Sequence, residues 1–188
     1  MKAICIVGSP KENGSSAIIV KEIAGIFETS GIDTKIISLG AADINFCTGC
    51  KSCYQAGNCV HNDGMDEIIK DIYDSEIVVV ASPSYWGDVT AQLKQFIDRC
   101  TPYCDTNPAR APMPPGKYGV AIAIRAGQNK GENENIVSTI EHFLGHLDIP
   151  LKFRFTIEGI NSKEDLLQKP HEIERARTFG SEIVKAVN

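Results

Sequence analysis

Five short apolar runs are the feature that most constrains the fold of this chain. They lie at residues 3–7, 34–39, 76–81, 118–124 and 151–157. Segments with apolar residues at helical spacing lie between and after them, at residues 15–30, 65–73, 89–104, 133–147 and 170–187. Nearly continuous apolar strands that alternate with helices are typical of a parallel sheet covered by helices on both faces. We therefore predict an α/β fold with five strands, as a single domain spanning residues 1–188.

Composition and the N-terminal sequence narrow the class of protein further. Hydrophobic residues make up 43% of the chain and charged residues 23%, values that fit a compact globular protein. The formal net charge of −5 disfavours nucleic-acid binding, which usually needs a basic face. The start MKAICIVGSP does not resemble a signal peptide, and no stretch approaches the roughly 20 apolar residues of a membrane helix. We therefore expect a cytoplasmic protein that binds neither nucleic acid nor membrane.

The segment GSPKENGSS, residues 8–16, lies between the first strand and the first helix. A helix N-terminus offers free N–H groups to an anion, and ligands of open parallel sheets bind at the carboxyl ends of the strands. Side chains add further donors, from Ser9, Asn13, Ser15 and Ser16. With two glycines six residues apart, the segment is neither a Walker loop nor a G-x-G-x-x-G loop, and it suits one monophosphate. The alternative is an ordinary strand–turn–helix connection with a serine cap.

Two segments carry a resemblance to a known family. GSPKENGSS resembles the GSPR-x-N-G-[NS]-[ST] loop of the NAD(P)H-dependent FMN reductase-like flavoproteins. ASPSYWGDVTAQLKQFIDR, residues 81–99, resembles the xSPVYxGxxxAQLKxFIDR motif of the same family. The resemblance covers at least residues 1–99 and, more weakly, residues 118–127. It implies FMN as the cofactor and a flavodoxin-like three-layer sandwich with strand order 2-1-3-4-5.

The resemblance also implies which residues bind FMN. The phosphate would be held by Ser9, Lys11, Asn13, Ser15 and Ser16. The ribityl chain and the ring would be lined by Pro83, Ser84, Tyr85, Trp86 and Gly87. A third loop under the ring would comprise Arg125, Ala126 and Gly127, where family members often have Gly-Gly in place of Ala-Gly. The alternative for the two aromatic residues is a hydrophobic anchor that packs their loop on the sheet.

The chain has seven cysteines, and four of them fall within an irregular segment at about residues 40–62. These four, Cys47, Cys50, Cys53 and Cys59, have the spacing C-x2-C-x2-C-x5-C. Three thiolates spaced in this way can converge on one cubane, as in the ferredoxins. Gly49 and Gly57 permit the tight turns that such a loop needs. The spacing resembles the iron–sulfur flavoproteins, a branch of the same family, which implies a [4Fe–4S] cluster beside the flavin. There are two alternatives. One is structural zinc. The other is no metal at all, with the cysteines packing the loop or forming a redox pair.

Two functions are consistent with this reading, both of them redox functions. The first is an iron–sulfur flavoprotein that relays electrons between a [4Fe–4S] cluster and FMN. The second is a cluster-free NAD(P)H-dependent FMN or quinone reductase. The electron donor would be ferredoxin or NAD(P)H, and the acceptor a small molecule or a protein. We also expect a homodimer or homotetramer, because the flavin of this family sits near a subunit boundary and Trp86 is a natural interface anchor. The sequence assigns no catalytic residue.

Overall fold

The computed structural model of the chain describes residues 1–128 and 130–187. Its centre is a parallel sheet with strand order β2-β1-β3-β4-β5. The strands are β1 (Lys2–Val7), β2 (Asp33–Ser38), β3 (Ile77–Pro83), β4 (Tyr118–Ile124) and β5 (Leu151–Ile157). Both the α/β class and the strand order expected from the sequence are confirmed.

Seven α-helices are described, of which two are short and were not predicted from the sequence. The helices are α1 (Ser15–Thr29), α2 (Cys53–Ala56), α3 (Met65–Asp74), α4 (Ala91–Arg99), α5 (Lys130–His146), α6 (Lys163–Leu167) and α7 (Pro170–Val187). The helix predicted over residues 89–104 ends at Arg99 and is followed by a 3-10 turn at Thr101–Tyr103. Pro102 explains the early end, because a proline disfavours α geometry in the residue before it.

The hydrophobic core lies in two layers, one on each face of the sheet. Successive side chains of a strand point to opposite faces, so each apolar run contributes to both layers. On one face, residues such as Cys5 and Val79 pack against α1 and α7. On the other face, residues such as Ile6 and Val80 pack against α3, α4 and α5. None of the helices in the described part of the chain is both long and apolar enough to span a bilayer.

The strand order creates a switch point between β1 and β3. The chain leaves β1 to form β2 on one side and later forms β3 on the other side of β1. The connections that follow these two strands therefore diverge and leave a crevice at the carboxyl edge of the sheet. Gly8 lies in this crevice, where its N–H donates to the carbonyl oxygen of Ala81 over 2.7 Å.

Candidate functional site

A cleft of about 510 Å³ opens at the carboxyl edge of the sheet. Residues of four loops line it, from the connections that follow β1, β3, β4 and β5. Ten residues expected at an FMN site are among them: Ser9, Lys11, Asn13, Ser15, Ser16, Pro83, Ser84, Tyr85, Trp86 and Ala126. Arg125 also lines the cleft, whereas Gly87 and Gly127 do not. The three loops predicted to bind FMN, which follow β1, β3 and β4, thus meet at one cleft.

The start of α1 has the features of an anion site. Gly14 is the N-cap residue, and no side chain caps the helix, so the N–H groups of the first turn keep their capacity to bind a ligand. Ser16 is 2% exposed, and its hydroxyl is buried without a hydrogen-bond partner. A buried hydroxyl without a partner costs about 1–3 kcal/mol. A phosphate oxygen at this helix end would supply the missing partner.

The other polar side chains of this loop already have partners within the protein. The Ser9 hydroxyl accepts a hydrogen bond from the backbone N–H of Lys11 over 3.1 Å. The Ser15 hydroxyl donates to the carbonyl oxygen of Ser162 over 3.0 Å, which joins α1 to the loop before α6. Lys21 donates to the side-chain oxygen of Asn13 over 3.3 Å. These bonds fix the shape of the loop around the helix N-terminus.

The aromatic loop after β3 projects into solvent at the mouth of the cleft. Trp86 is fully exposed and Tyr85 is 46% exposed. Tyr85 and Asp88 exchange two backbone hydrogen bonds of 3.0 and 3.1 Å, and between them Trp86 and Gly87 have positive φ angles of 57° and 79°. The indole therefore does not pack on the sheet, and the interpretation of Trp86 as a loop-packing anchor is wrong for this chain. A flat aromatic ligand in the cleft would have this ring available for contact.

A fourth loop of the cleft was not anticipated from the sequence. It follows β5 and contributes Ile160, Asn161, Ser162, Lys163 and Glu164. Ser162 caps α6 in a capping box, since its hydroxyl accepts from the N–H of Asp165 and its own N–H donates to the Asp165 carboxylate. The S-x-x-D pattern at residues 162–165, directly after the fifth strand, was the signal that could have identified this loop.

A second cavity, of about 210 Å³, is lined by all four clustered cysteines. Gly49 and Gly57 have φ angles of 68° and 75°, which confirms their predicted role in tight turns. A Cβ atom at Gly57 would lie 2.7 Å from the carbonyl oxygen of Ala109, so a side chain there would collide with backbone. The loop is thus closely packed at Gly57, and its cysteines face a common space.

The spacing of the sulfur atoms bears on the kind of metal that this cavity suits. In the described part of the chain, no three of these four sulfurs lie within 4.8 Å of one another. Four thiolates around a single zinc ion, each about 2.3 Å from the metal, would lie about 3.8 Å apart. A cubane holds its four ligands further apart than a single ion does. The four sulfurs are thus not gathered as closely as the ligands of one zinc ion.

The surroundings of four cysteine thiols shift their pKa values. Hydrogen bonds from the hydroxyl and backbone N–H of Ser52, and from Thr48, lower the pKa of the exposed Cys50 thiol. Burial raises the pKa of Cys53 within the cavity. Cys5 and Cys100 are fully buried in the core, and burial raises the pKa of Cys5 to about 12. Cys5 and Cys100 lie in the core and do not line the cavity that the four clustered cysteines share, so they do not belong to this set.

A buried ion pair and a buried amide hold the cysteine loop in place. The guanidinium of Arg99, at the end of α4, donates to the two carboxylate oxygens of Asp63 over 2.6 and 3.1 Å. The amide of Asn107 donates to the carbonyl oxygens of Cys53 and Pro102 over 3.1 and 2.9 Å. Asn107 is 1% exposed, although it lies in a proline-rich segment of a kind that is usually exposed. None of these anchoring contacts was anticipated from the sequence.

The two cavities lie at opposite ends of α4. The cysteine loop begins beside the first cleft, since a Cβ atom at Gly40 would lie 2.8 Å from the carbonyl oxygen of Pro10. Its cysteines, however, gather near Arg99 at the end of α4, and a nine-residue helix is about 13 Å long. Among the described residues, none lines both cavities.

The fold and the cleft define a class. A five-stranded parallel sheet of this order, with a cleft at its switch point lined by an uncapped helix N-terminus and an aromatic loop, defines a flavodoxin-like fold. A solved flavodoxin from the domain Archaea superposes with a TM-score of 0.59, covering 100% of this chain and 99% of that one, at 14% sequence identity. At this identity the similarity concerns the fold alone.

Comparison of the sequence then gives the family. Residues 1–149 match the family model of the NADPH-dependent FMN reductases, and the chain belongs to this family. The chain is 39% identical over 132 residues to an iron–sulfur flavoprotein of Archaeoglobus fulgidus, covering 70% of this chain and 58% of that protein. It is 36% identical over 146 residues to an iron–sulfur flavoprotein of Methanocaldococcus jannaschii, covering 78% and 73%. The chain thus spans under two thirds of the first of these relatives. The family expected from the sequence is confirmed.

Proposed function

We propose that the protein is an iron–sulfur flavoprotein, with FMN in the cleft at the carboxyl edge of the sheet and a [4Fe–4S] cluster on Cys47, Cys50, Cys53 and Cys59. The observation that carries the proposal is that one small cavity is lined by all four cysteines, separately from the polar cleft. The iron–sulfur flavoproteins at 36–39% identity support the same reading. When bound, FMN and a cluster supply one-electron and two-electron redox chemistry.

The residues of the cleft would bind and orient FMN in distinct ways. The first turn of α1 and the Ser16 hydroxyl would hold the phosphate, together with the side chains of the same loop. Tyr85 and Trp86 would contact the ring, and Ala126 and the loop after β5 would close the opposite side. Gly87 would serve through its positive φ angle, which lets the aromatic loop turn. Gly127 does not line the cleft, and we do not assign it a contact.

Four thiolates would hold the cluster, three of them from one tight loop. In this proposal electrons come from ferredoxin or NAD(P)H and go to a small molecule or a protein. Thiolate ligands of this kind need a reducing compartment, which fits a cytoplasmic protein.

A second candidate is the cluster-free NAD(P)H-dependent reductase. The match to the NADPH-dependent FMN reductase family over residues 1–149 favours it, since that family is defined by the flavin and not by a cluster. The two candidates differ in iron and sulfide content, and in whether NAD(P)H alone reduces the bound flavin.

Anaerobic purification followed by iron, sulfide and flavin analysis decides between the two. We expect one FMN and four iron atoms per chain, as for any [4Fe–4S] flavoprotein. Cys50→Ala should lose the iron and keep the FMN. Cys104→Ala is the matched control, because Cys104 is also partly exposed but does not line the cysteine cavity. Wild-type protein with full FMN but no iron or sulfide, even after reconstitution, would make the plain reductase the answer.

We also propose that the protein forms a homodimer or homotetramer. A fully exposed Trp86, together with Phe46 at 71% and Val60 at 61% exposure, places apolar surface on the aromatic loop and on the cysteine loop. Contact between these loops of two subunits would bring a cluster of one subunit towards the flavin of the other. Light scattering should report an oligomer at micromolar concentration, and Trp86→Ser should weaken it. A wild-type monomer under these conditions would contradict the proposal.

A further inference from the structure

The guanidinium of Arg99 is a buried cation at the wall of the cysteine cavity. Its side chain is 1% exposed and lines that cavity together with the four cysteines. One terminal nitrogen donates to Asp63 over 2.6 Å and to the carbonyl oxygen of Asn45 over 2.8 Å. The other terminal nitrogen donates to Asp63 over 3.1 Å.

The two partners of this ion pair differ in how many of their polar atoms form hydrogen bonds. The Asp63 carboxylate accepts from Arg99, from the backbone and side-chain nitrogens of Asn45, and from the N–H of Met65. The Nε–H of Arg99, in contrast, is buried with no hydrogen-bond partner. A buried N–H left in this state is costly, and a negatively charged sulfur would be a suitable acceptor.

Cys59 and Arg99 line the same small cavity, whose volume is about 210 Å³. The buried guanidinium and this sulfur therefore share one confined space, from which most water is excluded. In a chain that also carries Cys47, Cys50 and Cys53 on the same cavity, a fixed positive charge at one ligand acts on the whole cluster.

We propose that Arg99 raises the reduction potential of the cluster by stabilising its reduced form. Reduction adds one electron, taken from a one-electron donor, and so adds one negative charge to the cluster and its four thiolates. A buried cation beside Cys59 lowers the energy of that added charge, because charge and hydrogen bonds to sulfur set cluster potentials. Arg99 is a positioning and tuning residue and not a ligand. The inference rests on the proposed function.

Charge-changing variants separate this effect from a purely structural role. Arg99→Gln removes the positive charge and should lower the midpoint potential. Asp63→Asn removes the opposing negative charge and should raise it. Arg99→Lys keeps the charge and should stay nearer to the wild-type value. Lys185→Gln is the matched control, because Lys185 is exposed on α7, whose residues line neither cavity.

The measurement is a redox titration followed by electron paramagnetic resonance, after iron, sulfide and FMN have been counted for each variant. We expect Arg99→Gln to lower the midpoint potential by at least about 59 mV, which is a tenfold change in the equilibrium constant for one-electron reduction. Asp63→Asn should shift the potential by a similar amount in the opposite direction. Potentials that match the Lys185→Gln control would overturn the proposal. If Arg99→Gln loses its iron, its cluster potential cannot be measured, and the potential of Asp63→Asn then tests the proposal.

Loss of iron from both charge variants would also overturn the proposal, because Arg99 would then act only by holding the loop. A wild-type protein without iron is a different result. It would remove the proposed iron–sulfur function itself, and the iron count of the wild type reveals it before any potential is measured.

Discussion

The hydroxyl of Thr90 donates a hydrogen bond to the carbonyl oxygen of Gly8, and this contact ties α4 to the loop between β1 and α1. Thr90 is completely buried and is also the N-cap of α4, where its hydroxyl accepts from the N–H of Leu93 over 3.2 Å. The other end of the same helix carries Arg99, which anchors the cysteine loop. One nine-residue helix therefore fixes both cavities relative to each other.

Thr90→Val should disturb the first cleft and destabilise the protein. Valine keeps the shape of threonine but can neither cap α4 nor donate to Gly8. Loss of a cap costs about 1 kcal/mol, and a buried carbonyl without its partner costs about 1–3 kcal/mol. We expect a decrease of about 2–3 kcal/mol in the unfolding free energy, measured by denaturant titration. Thr90→Ser keeps the hydroxyl and should lose much less. A loss in Thr90→Val no larger than that in Thr90→Ser would contradict the stabilising role of the two hydrogen bonds.

Gly8→Ala should displace the loop between β1 and α1 and weaken FMN binding. A Cβ atom at Gly8 would lie 2.9 Å from the Leu93 Cβ atom and 3.0 Å from the carbonyl oxygen of Ala81, so the added methyl group meets side chain and backbone. Gly25→Ala is the control, because a Cβ atom at Gly25, within α1, has no neighbour within 4 Å. The control should gain about 0.5–1 kcal/mol of stability and bind FMN normally. Fluorescence titration measures the FMN affinity of both variants, and an unchanged affinity in Gly8→Ala would refute the expected displacement.

Ser16→Ala should weaken FMN binding without destabilising the flavin-free protein. The Ser16 hydroxyl has no partner within the protein, so its removal costs the apoprotein nothing. A charge-assisted hydrogen bond to phosphate is worth about 1.5–3 kcal/mol, which corresponds to a rise of about ten- to hundredfold in the Kd for FMN. Ser38→Ala is a close control, because that hydroxyl is also buried without a partner but does not line the cleft. Equal FMN affinity of the two variants would place the phosphate elsewhere.

Much of the fold could be predicted because apolar runs report burial directly. The strands predicted over residues 118–124 and 151–157 have the same bounds in the structure. The order of the strands, in contrast, came from the family resemblance, since periodicity shows that a strand is buried but not which strand lies beside it. Periodicity also gave the wrong end for α4. The helical pattern continues to Cys104, but Pro102 ends the helix earlier because it disfavours α geometry in the residue before it.

The anchoring contacts of the cysteine loop could not be predicted, for a physical reason. Arg99 and Asp63 are 36 residues apart, and each alone looks like a solvated surface charge. Asn107 lies in a proline-rich loop, where an amide is usually exposed. Their burial depends on how three separate segments meet, which neither composition nor periodicity encodes. The loop after β5 was closer to being predictable, because its capping pattern and its position were both visible in the sequence.

The last prediction concerns acid stability and follows from the Asp63 carboxylate. Burial works to raise the pKa of Asp63, but hydrogen bonds from Arg99 and Asn45 prevail and hold the pKa well below its usual range. A carboxyl whose pKa is lower in the folded state contributes stability that is fully present above its unfolded pKa, about 3.9. This contribution is lost as the pH falls from about 4 towards the lower folded pKa.

Asp63→Asn isolates this contribution from the other carboxyl groups, which titrate in both proteins. At pH 7 the variant should be less stable by about 3–5 kcal/mol, the typical cost of leaving one partner of a buried ion pair alone. The difference in unfolding free energy between wild type and variant should then shrink steadily below about pH 4. Denaturant titrations from pH 7 to about pH 2.5 measure it at each step. A difference that stays constant over this range would show that Asp63 has no lowered pKa, and that the Asp63–Arg99 pair is not the acid-sensitive anchor of the cysteine loop.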